Sequence, residues 1–180
     1  RAYKEFAKVE PLNGYINLAL SYEFLDSLFD KAFVGQYFIP QDFGNNTRIL
    51  LEFVSANPTG PLHIGHARGA IYGDSLKRIG QFLGYEIVSE YYINDAGNQI
   101  ATLGLSVLLS GKELLGEAVE YPQEYYKGAY ITDIAKAALA HFGEEIFSSD
   151  SHIPTLSVFA KDLMLEEIRK NLKSLDIEFD

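Results

Sequence analysis

Two histidines three residues apart, His63 and His66, end the stretch Ser55-Ala56-Asn57-Pro58-Thr59-Gly60-Pro61-Leu62-His63-Ile64-Gly65-His66, which is otherwise rich in proline and glycine. At i and i+3 both imidazoles lie on one face of a helical turn and can address one group. Neutral or protonated, imidazole donates hydrogen bonds to phosphate oxygens as negative charge builds on them. Gly60 and Gly65 remove side chains where a ligand would approach the backbone. A helix starting near His63 adds unpaired N–H groups and a partial positive charge, which suits a phosphate. Two plainer readings compete. A metal pair would need a third ligand, and the chain has no cysteine and no such residue nearby in sequence. A structural helix start would use Thr59 and Asn57 as caps and leave the histidines in solvent.

A phosphate cradle needs rigid elements on both sides. Upstream, Ile49-Leu50-Leu51-Glu52-Phe53-Val54 is a nearly continuous apolar run of strand length, as expected for a strand buried on both faces of a parallel sheet. Downstream, Ile64, Ala67, Ile71, Leu76, Ile79 and Leu83 fall at helical spacing, and Gly84 is placed to end that helix. Glu86 to Ile93 reads as a second strand, closed by the turn residues Asn94-Asp95-Ala96-Gly97. Strand, helix, strand makes a βαβ crossover, whose two strands are parallel. The Asn57–Gly65 and Asn94–Gln99 loops therefore emerge together at the carboxyl edge of the sheet, where ligands bind in such folds.

The rest of the chain supports an intracellular globular protein. With 180 residues, 47% hydrophobic and 13% aromatic, it can bury roughly 70% of its unfolded surface. Absence of cysteine excludes disulfides and thiolate chemistry. No apolar run reaches the ~20 residues of a membrane span and no signal peptide is recognisable. The formal charge of -10 argues against strong nonspecific nucleic-acid binding. Residues 1–47 hold a strand-like Gly14–Leu20, a helix over Tyr22–Phe33 and a loop, Gly44-Asn45-Asn46-Thr47. The βαβ core runs from Arg48 to about Leu109. Tyr121–Phe142 and Thr155–Leu175 read as helices, the second with Val158, Leu165, Ile168, Leu172 and Leu175 as its apolar stripe, and together they form an insertion in the nucleotide fold. His141 and His152 are expected in solvent. Tyr125, Tyr126 and Tyr130 are expected in packing, with stacking on a base as the alternative.

The segment Ala56–His66 resembles the HIGH motif of class I aminoacyl-tRNA synthetases, and in its extended form it is similar to arginyl-tRNA synthetases. The flanks carry the resemblance: Glu52–Pro58, Ala67–Asp74 and Tyr92–Gln99, with weaker similarity over Tyr126–Ala135 and Glu10–Ser21. An His-x-Gly-His alone also occurs in cytidylyltransferases. The resemblance implies an α/β, Rossmann-like parallel-sheet nucleotide-binding fold with a helical insertion. Residues 48–180 would be the first half of the catalytic domain, and residues 1–47 the tail of an α+β amino-terminal domain that contacts tRNA. The Lys-Met-Ser-Lys loop and the anticodon-reading helical domain of that family are missing, so the chain is expected to be a fragment, inactive alone, of a cytoplasmic, monomeric enzyme.

The implied reaction is ATP-dependent activation of arginine and transfer of the arginyl group to tRNA, with Mg²⁺ neutralising the leaving pyrophosphate. His63 and His66 would be the catalytic donors, and Pro58, Gly60, His63, Gly65 and His66 the ATP-binding residues. Arginine would be held by Glu52 at its guanidinium, by Asn57 and Ser55 at its α-amino end, and by Asn94, Asp95 and Gln99 from the neighbouring loop; no resident metal site is implied. For Glu52 the competing role is an ion pair with Arg48 or Arg68, and for Asn94-Asp95 a turn. Two other functions stand beside this one, a noncatalytic module binding tRNA or a protein, and another His-x-Gly-His nucleotidyltransferase.

Overall fold

The computed structural model describes residues 3–35, 43–45, 47–95 and 97–180. The expected loop residue Asn46 and turn residue Ala96 lie outside the described residues, as does the stretch 36–42 in the expected amino-terminal region.

The first region is a hairpin and a helix. β1 (Phe6–Leu12) pairs antiparallel with β2 (Tyr15–Leu20) through Asn13-Gly14, both with positive φ, the backbone that a two-residue hairpin turn requires. β1 has no counterpart in the sequence reading; β2 and the helix α1 (Tyr22–Phe33) fall where expected. Ser21 caps α1: its hydroxyl accepts from the Phe24 N–H at 3.2 Å and donates to the Lys4 carbonyl at 2.8 Å, tying helix to hairpin.

β3 (Arg48–Glu52), α2 (Ile64–Phe82) and β4 (Glu86–Glu90) form the crossover, with the two strands parallel and in register from Arg48↔Glu86 to Glu52↔Glu90. Among the described residues this sheet has two strands, and the expectation of a strand covered on both faces does not hold: Leu50 is 63% exposed. Ile87 packs against Gly80 of α2, so Ile49, Leu51, Ile87 and Ser89 face that helix while Arg48, Leu50 and Glu52 face away from it. The packing stripe of α2 is also not its bulky apolar residues. Small residues, Ala70 and Gly73, are its buried positions, with the Phe53 ring seated where a Gly73 side chain would stand, whereas Ile64, Ile71 and Ile79 are exposed.

The remaining helices form a unit of their own. α3 (Asn98–Leu114), absent from the sequence reading, packs against α4 (Ala129–Phe142) and α5 (Ile153–Ser174) around Leu103, Leu108, Ile134, Phe147 and Leu156. It thus belongs with the helices, and the βαβ core ends before it. α4 starts at Ala129 instead of Tyr121, directly after Gly128, whose φ of 138 is not a helical backbone. In α5 the buried face is Leu156, Ala160, Met164, Ile168 and Leu172; Val158 and Leu175, expected in the stripe, point outward. His152 is not solvated: it is half-buried, with Nδ1 3.1 Å from the Ile146 carbonyl. His141 is exposed but stacks on Phe159.

Residues 176–180 return to the sheet. The Ser89 N–H and hydroxyl both donate to the Asp180 carboxylate (2.8 and 2.9 Å), and the Asp180 N–H donates back to the Ser89 carbonyl. Lys77, 13% exposed, ties this strip to α2 through Ser89, the Glu178 carbonyl and Asp180. Hydrogen bonds from Ser89 and Lys77 hold the Asp180 carboxyl down at about 2. Ile177 and Phe179 join Ala70, Ile168, Leu172 and Phe53 in a second small core that seats α5 on α2.

Candidate active site

The loop between β3 and α2 carries two residues in the left-handed region, Val54 (φ 67) and Ser55 (φ 39), a backbone uncommon for non-glycine residues and most uncommon for β-branched valine. Three neighbouring segments hold the loop in that shape. After β4, the Tyr91 hydroxyl donates to the Ala56 carbonyl at 2.6 Å, and the Tyr92 N–H donates to the Ser55 hydroxyl at 3.0 Å. From the first turn of α3, Gln99 accepts from the Asn57 side-chain amide at 2.8 Å. From the first turn of α4, the Tyr130 hydroxyl donates to the Thr59 carbonyl at 3.0 Å. Burial pushes the hydroxyls of Tyr91 and Tyr130 upward, so both stay protonated donors at neutral pH.

The loop delivers the histidines to the start of α2. His63 is the cap of that helix, its Nδ1 accepting the Gly65 N–H at 3.1 Å, while His66 Nδ1 accepts the His63 N–H at 3.4 Å. The rings stack with centroids 3.8 Å apart. This is a capping box built from imidazoles in place of the usual Ser/Thr and Glu/Gln. The N–H groups of His63 and Gly65, expected to be open for an anion, are thus taken by ring nitrogens. Because each Nδ1 accepts, a neutral ring carries its proton on Nε2, and that N–H remains as the donor. Burial, and then the neighbouring His63, lower the His66 pKa, favouring this neutral form. The reading in which Thr59 and Asn57 cap the helix and the histidines stand in solvent does not hold: the two histidines cap it through Nδ1.

The expected site residues divide by what surrounds them. Gly65 is needed by the histidine itself, since a Cβ there would stand 2.9 Å from the His63 ring. A Cβ on Gly60 would touch the Tyr130 ring at 3.4 Å. Pro58 is fully buried and shapes the loop from inside. Ser55 uses its hydroxyl as an acceptor for Tyr92, and Asn57 is joined to Gln99, which stands on α3 and not in the loop. Asn94 is exposed, and Asp95 lies 3.9 Å from Lys161 of α5. Glu52 is exposed, and among the described residues neither Arg48 nor Arg68 pairs with it; Arg48 binds Glu86 at 3.0 Å. Its register partner is Glu90, so two carboxylates end the paired strands side by side.

Tyr91, Tyr130 and Glu90 escaped the sequence reading as site-building residues. For the tyrosines the only signal was an aromatic just past a strand or at a helix start. A cleft of about 480 Å³ between α5 and the end of β4, lined by Glu90, Tyr91, Ile168, Arg169, Leu172 and Phe179, is not lined by the histidines, which stand on an open edge. Among the described residues no cluster of three or more His, Asp or Glu could hold a metal ion, and no helix is long and apolar enough to cross a membrane.

A parallel strand–helix–strand unit with a histidine-capped helix and an adjoining loop at its carboxyl edge defines an α/β protein of Rossmann-like architecture. Residues 31–175 match the family of class I (R) tRNA synthetases, catalytic domain, and the chain belongs to that family. It is 57% identical over 175 residues to an arginine–tRNA ligase of Nitratiruptor sp. and 54% identical over 179 residues to one of Wolinella succinogenes, in each case over 97% of this chain and 33% of the relative. A crystal structure from Campylobacter jejuni described as an arginyl-tRNA synthetase superposes with a TM-score of 0.79 at 53% identity, over 89% of this chain and 36% of that one. The chain spans about a third of the length of the curated relatives it matches.

Proposed function

We propose that, in a protein of the relatives' full length, this segment is the half of an arginine–tRNA ligase site that holds ATP and arginine. The observation that carries this reading is the stacked His63–His66 pair, each Nδ1 fixed by a backbone N–H so that each Nε2 is left to donate. In the proposed reaction an arginine carboxylate oxygen attacks the α-phosphorus of ATP, the bond to the bridging oxygen breaks, and pyrophosphate leaves. A hydroxyl of the terminal ribose of tRNA then attacks the carbonyl carbon of the arginyl-adenylate, the acyl–phosphate bond breaks, and AMP leaves with the hydroxyl proton as the ester forms. Charge accumulates on phosphate oxygens during the first step, and donors already oriented there lower its barrier without reorganising. His63 and His66 are assigned that role.

The substrate amino acid is assigned to the strand end and the loop. Glu52, exposed and free of an ion pair among the described residues, is the carboxylate for the guanidinium, whose planar fork a carboxylate can bind with two parallel hydrogen bonds. Asn57 and Gln99, already joined, are assigned the α-amino end together with Ser55, and Asn94 and Asp95 flank them. Pro58, Gly60 and Gly65 shape the ATP-binding loop. Mg²⁺ carried on the ATP phosphates would supply charge to neutralise the pyrophosphate, and no resident metal site is assigned to these residues. Residues 1–47 are proposed as the tail of a tRNA-contacting domain and residues 48–180 as the first part of the catalytic domain, in a monomeric cytoplasmic enzyme.

The test is arginine-dependent charging of tRNA by the full-length protein carrying this segment, beside the 180-residue chain alone. Charging is expected from the first and not from the second. Charging with another amino acid, or none from a folded full-length protein, would overturn the proposal.

A further inference from the structure

The loop that carries the histidines is held from the helical unit at Asn57 by Gln99 of α3 and at Thr59 by the Tyr130 hydroxyl of α4, and the surroundings of Tyr130 are shaped around its ring. One edge of the ring lies against Gly60, where an added Cβ would meet the hydroxyl and Cζ at 3.4 and 3.5 Å; another lies against Gly128, where a Cβ would meet Cδ1 and Cε1 at 3.0 and 3.1 Å. Gly128 adopts φ 138, a backbone that side chains rarely accept, immediately before α4 begins. The rest of the ring packs against the core shared by α3, α4 and α5. The hydroxyl thus projects from the helical core to the Thr59 carbonyl, four residues before His63.

We infer that Tyr130 is a positioning residue through which the helical unit sets the shape of the phosphate-binding loop. This inference rests on the reading of the loop as an ATP site. Tyr91 and Tyr92 hold the strand-proximal end of the loop, at Ala56 and Ser55, and Gln99 holds Asn57; the stretch from Thr59 to the helix cap has Tyr130 as its side-chain anchor. A shift in the start of α4 relative to the sheet moves that anchor and with it the cap residue.

The test is Tyr130→Phe in the full-length protein, which keeps the packed ring and removes only the donor. Tyr121→Phe is the control, because the Tyr121 hydroxyl bonds Glu113 and not the loop. Two quantities are read: hydrogen exchange of the amides of Thr59, Gly60, Leu62 and His63, and KM for ATP and for arginine in tRNA charging. Tyr130→Phe is expected to speed loop exchange and to raise KM for ATP about three- to tenfold, the size of one neutral hydrogen bond, with KM for arginine unchanged and the control silent. Unchanged loop exchange overturns the inference. So does faster exchange with an unaltered KM for ATP, or an equal rise in both KM values, either of which reduces Tyr130 to packing. Should the parent protein fail to charge tRNA, the functional proposal falls, while the exchange measurement still decides whether Tyr130 holds the loop.

Discussion

The two nitrogens of His63 can be removed one at a time. Asparagine at position 63 places its amide oxygen close to where Nδ1 stands and is itself among the best helix caps, so His63→Asn keeps the bond from the Gly65 N–H and loses the Nε2 donor. Glutamine, one carbon longer, extends its amide toward the Nε2 position and gives up the short-range cap. Loss of a preoriented donor to a charge that develops in the transition state costs roughly 3–4 kcal/mol, or a fall of about 10²–10³ in kcat. Loss of a helix cap costs about 0.5–2 kcal/mol, and the exposed position of His63 favours the lower half of that range. At about 2–4 °C per kcal/mol for a domain of this size, that is a drop of a few degrees in Tm.

The two variants in the full-length protein should therefore separate. His63→Asn is expected to melt with the parent and to turn over about 10²–10³ more slowly in arginine-dependent tRNA charging at saturating ATP. His63→Gln is expected to melt lower and to keep more of the rate. A His63→Asn variant with parental kcat would refute the reasoning, because it would show that the Nδ1 bond is all that the imidazole supplies.

Three further outcomes follow from the same geometry. Glu52→Gln should raise KM for arginine at least tenfold, about 1.4 kcal/mol, with KM for ATP unmoved; a lower Tm with unaltered arginine kinetics would make Glu52 a structural residue. Asn57→Ala and Gln99→Ala, which break the same 2.8 Å bond, should both weaken arginine binding while a guanidinium compound lacking the α-amino group binds both variants as it binds the parent. Equal losses for the two ligands would remove the pair from the α-amino end. His66 should titrate by NMR below the ordinary 6.5 and move upward in His63→Asn, where the neighbouring imidazole is gone and only burial remains. A pKa lowered on folding means that the native state binds the proton less well, so the stability associated with neutral His66 is complete above pH 6.5 and declines as pH falls toward the native value. A midpoint indifferent to the substitution would rule out coupling between the stacked rings.

What the sequence made legible was local. The apolar run before the loop, the helical spacing after it and the turn residues beyond β4 predicted a parallel crossover, and the register from Arg48↔Glu86 to Glu52↔Glu90 is that crossover. The helix expected over Tyr22–Phe33 is α1, to its last residue. The overlooked β1 had a readable signal in Asn13-Gly14, since that pair favours the positive φ of a tight hairpin turn. The overlooked α3 had none as clear: it starts on Gly97 with no side-chain cap, and it is buried over much of its circumference, which erases the polar stripe that makes a helix periodic. Packing faces were misjudged where small residues do the packing. Ala70 and Gly73 let α2 lie close to the sheet because they are small, and hydropathy favours the large residues beside them.

The site was legible as a set of residues and illegible as a set of bonds, for a physical reason. Which nitrogen of His63 meets Gly65, or which hydroxyl meets Thr59, depends on backbone positions set by residues between 35 and 71 places away in sequence: Tyr91 on Ala56, Gln99 on Asn57, Tyr130 on Thr59. Those contacts also explain how Val54 and Ser55 persist at positive φ. Such a backbone costs of order 1–3 kcal/mol per residue, and the bonds at Ser55, Ala56, Asn57 and Thr59 over-determine it. The consequence concerns function more than stability. A loop held in an uncommon shape by three separate elements presents its histidines already oriented, and donors oriented before charge develops are the kind that lower a barrier.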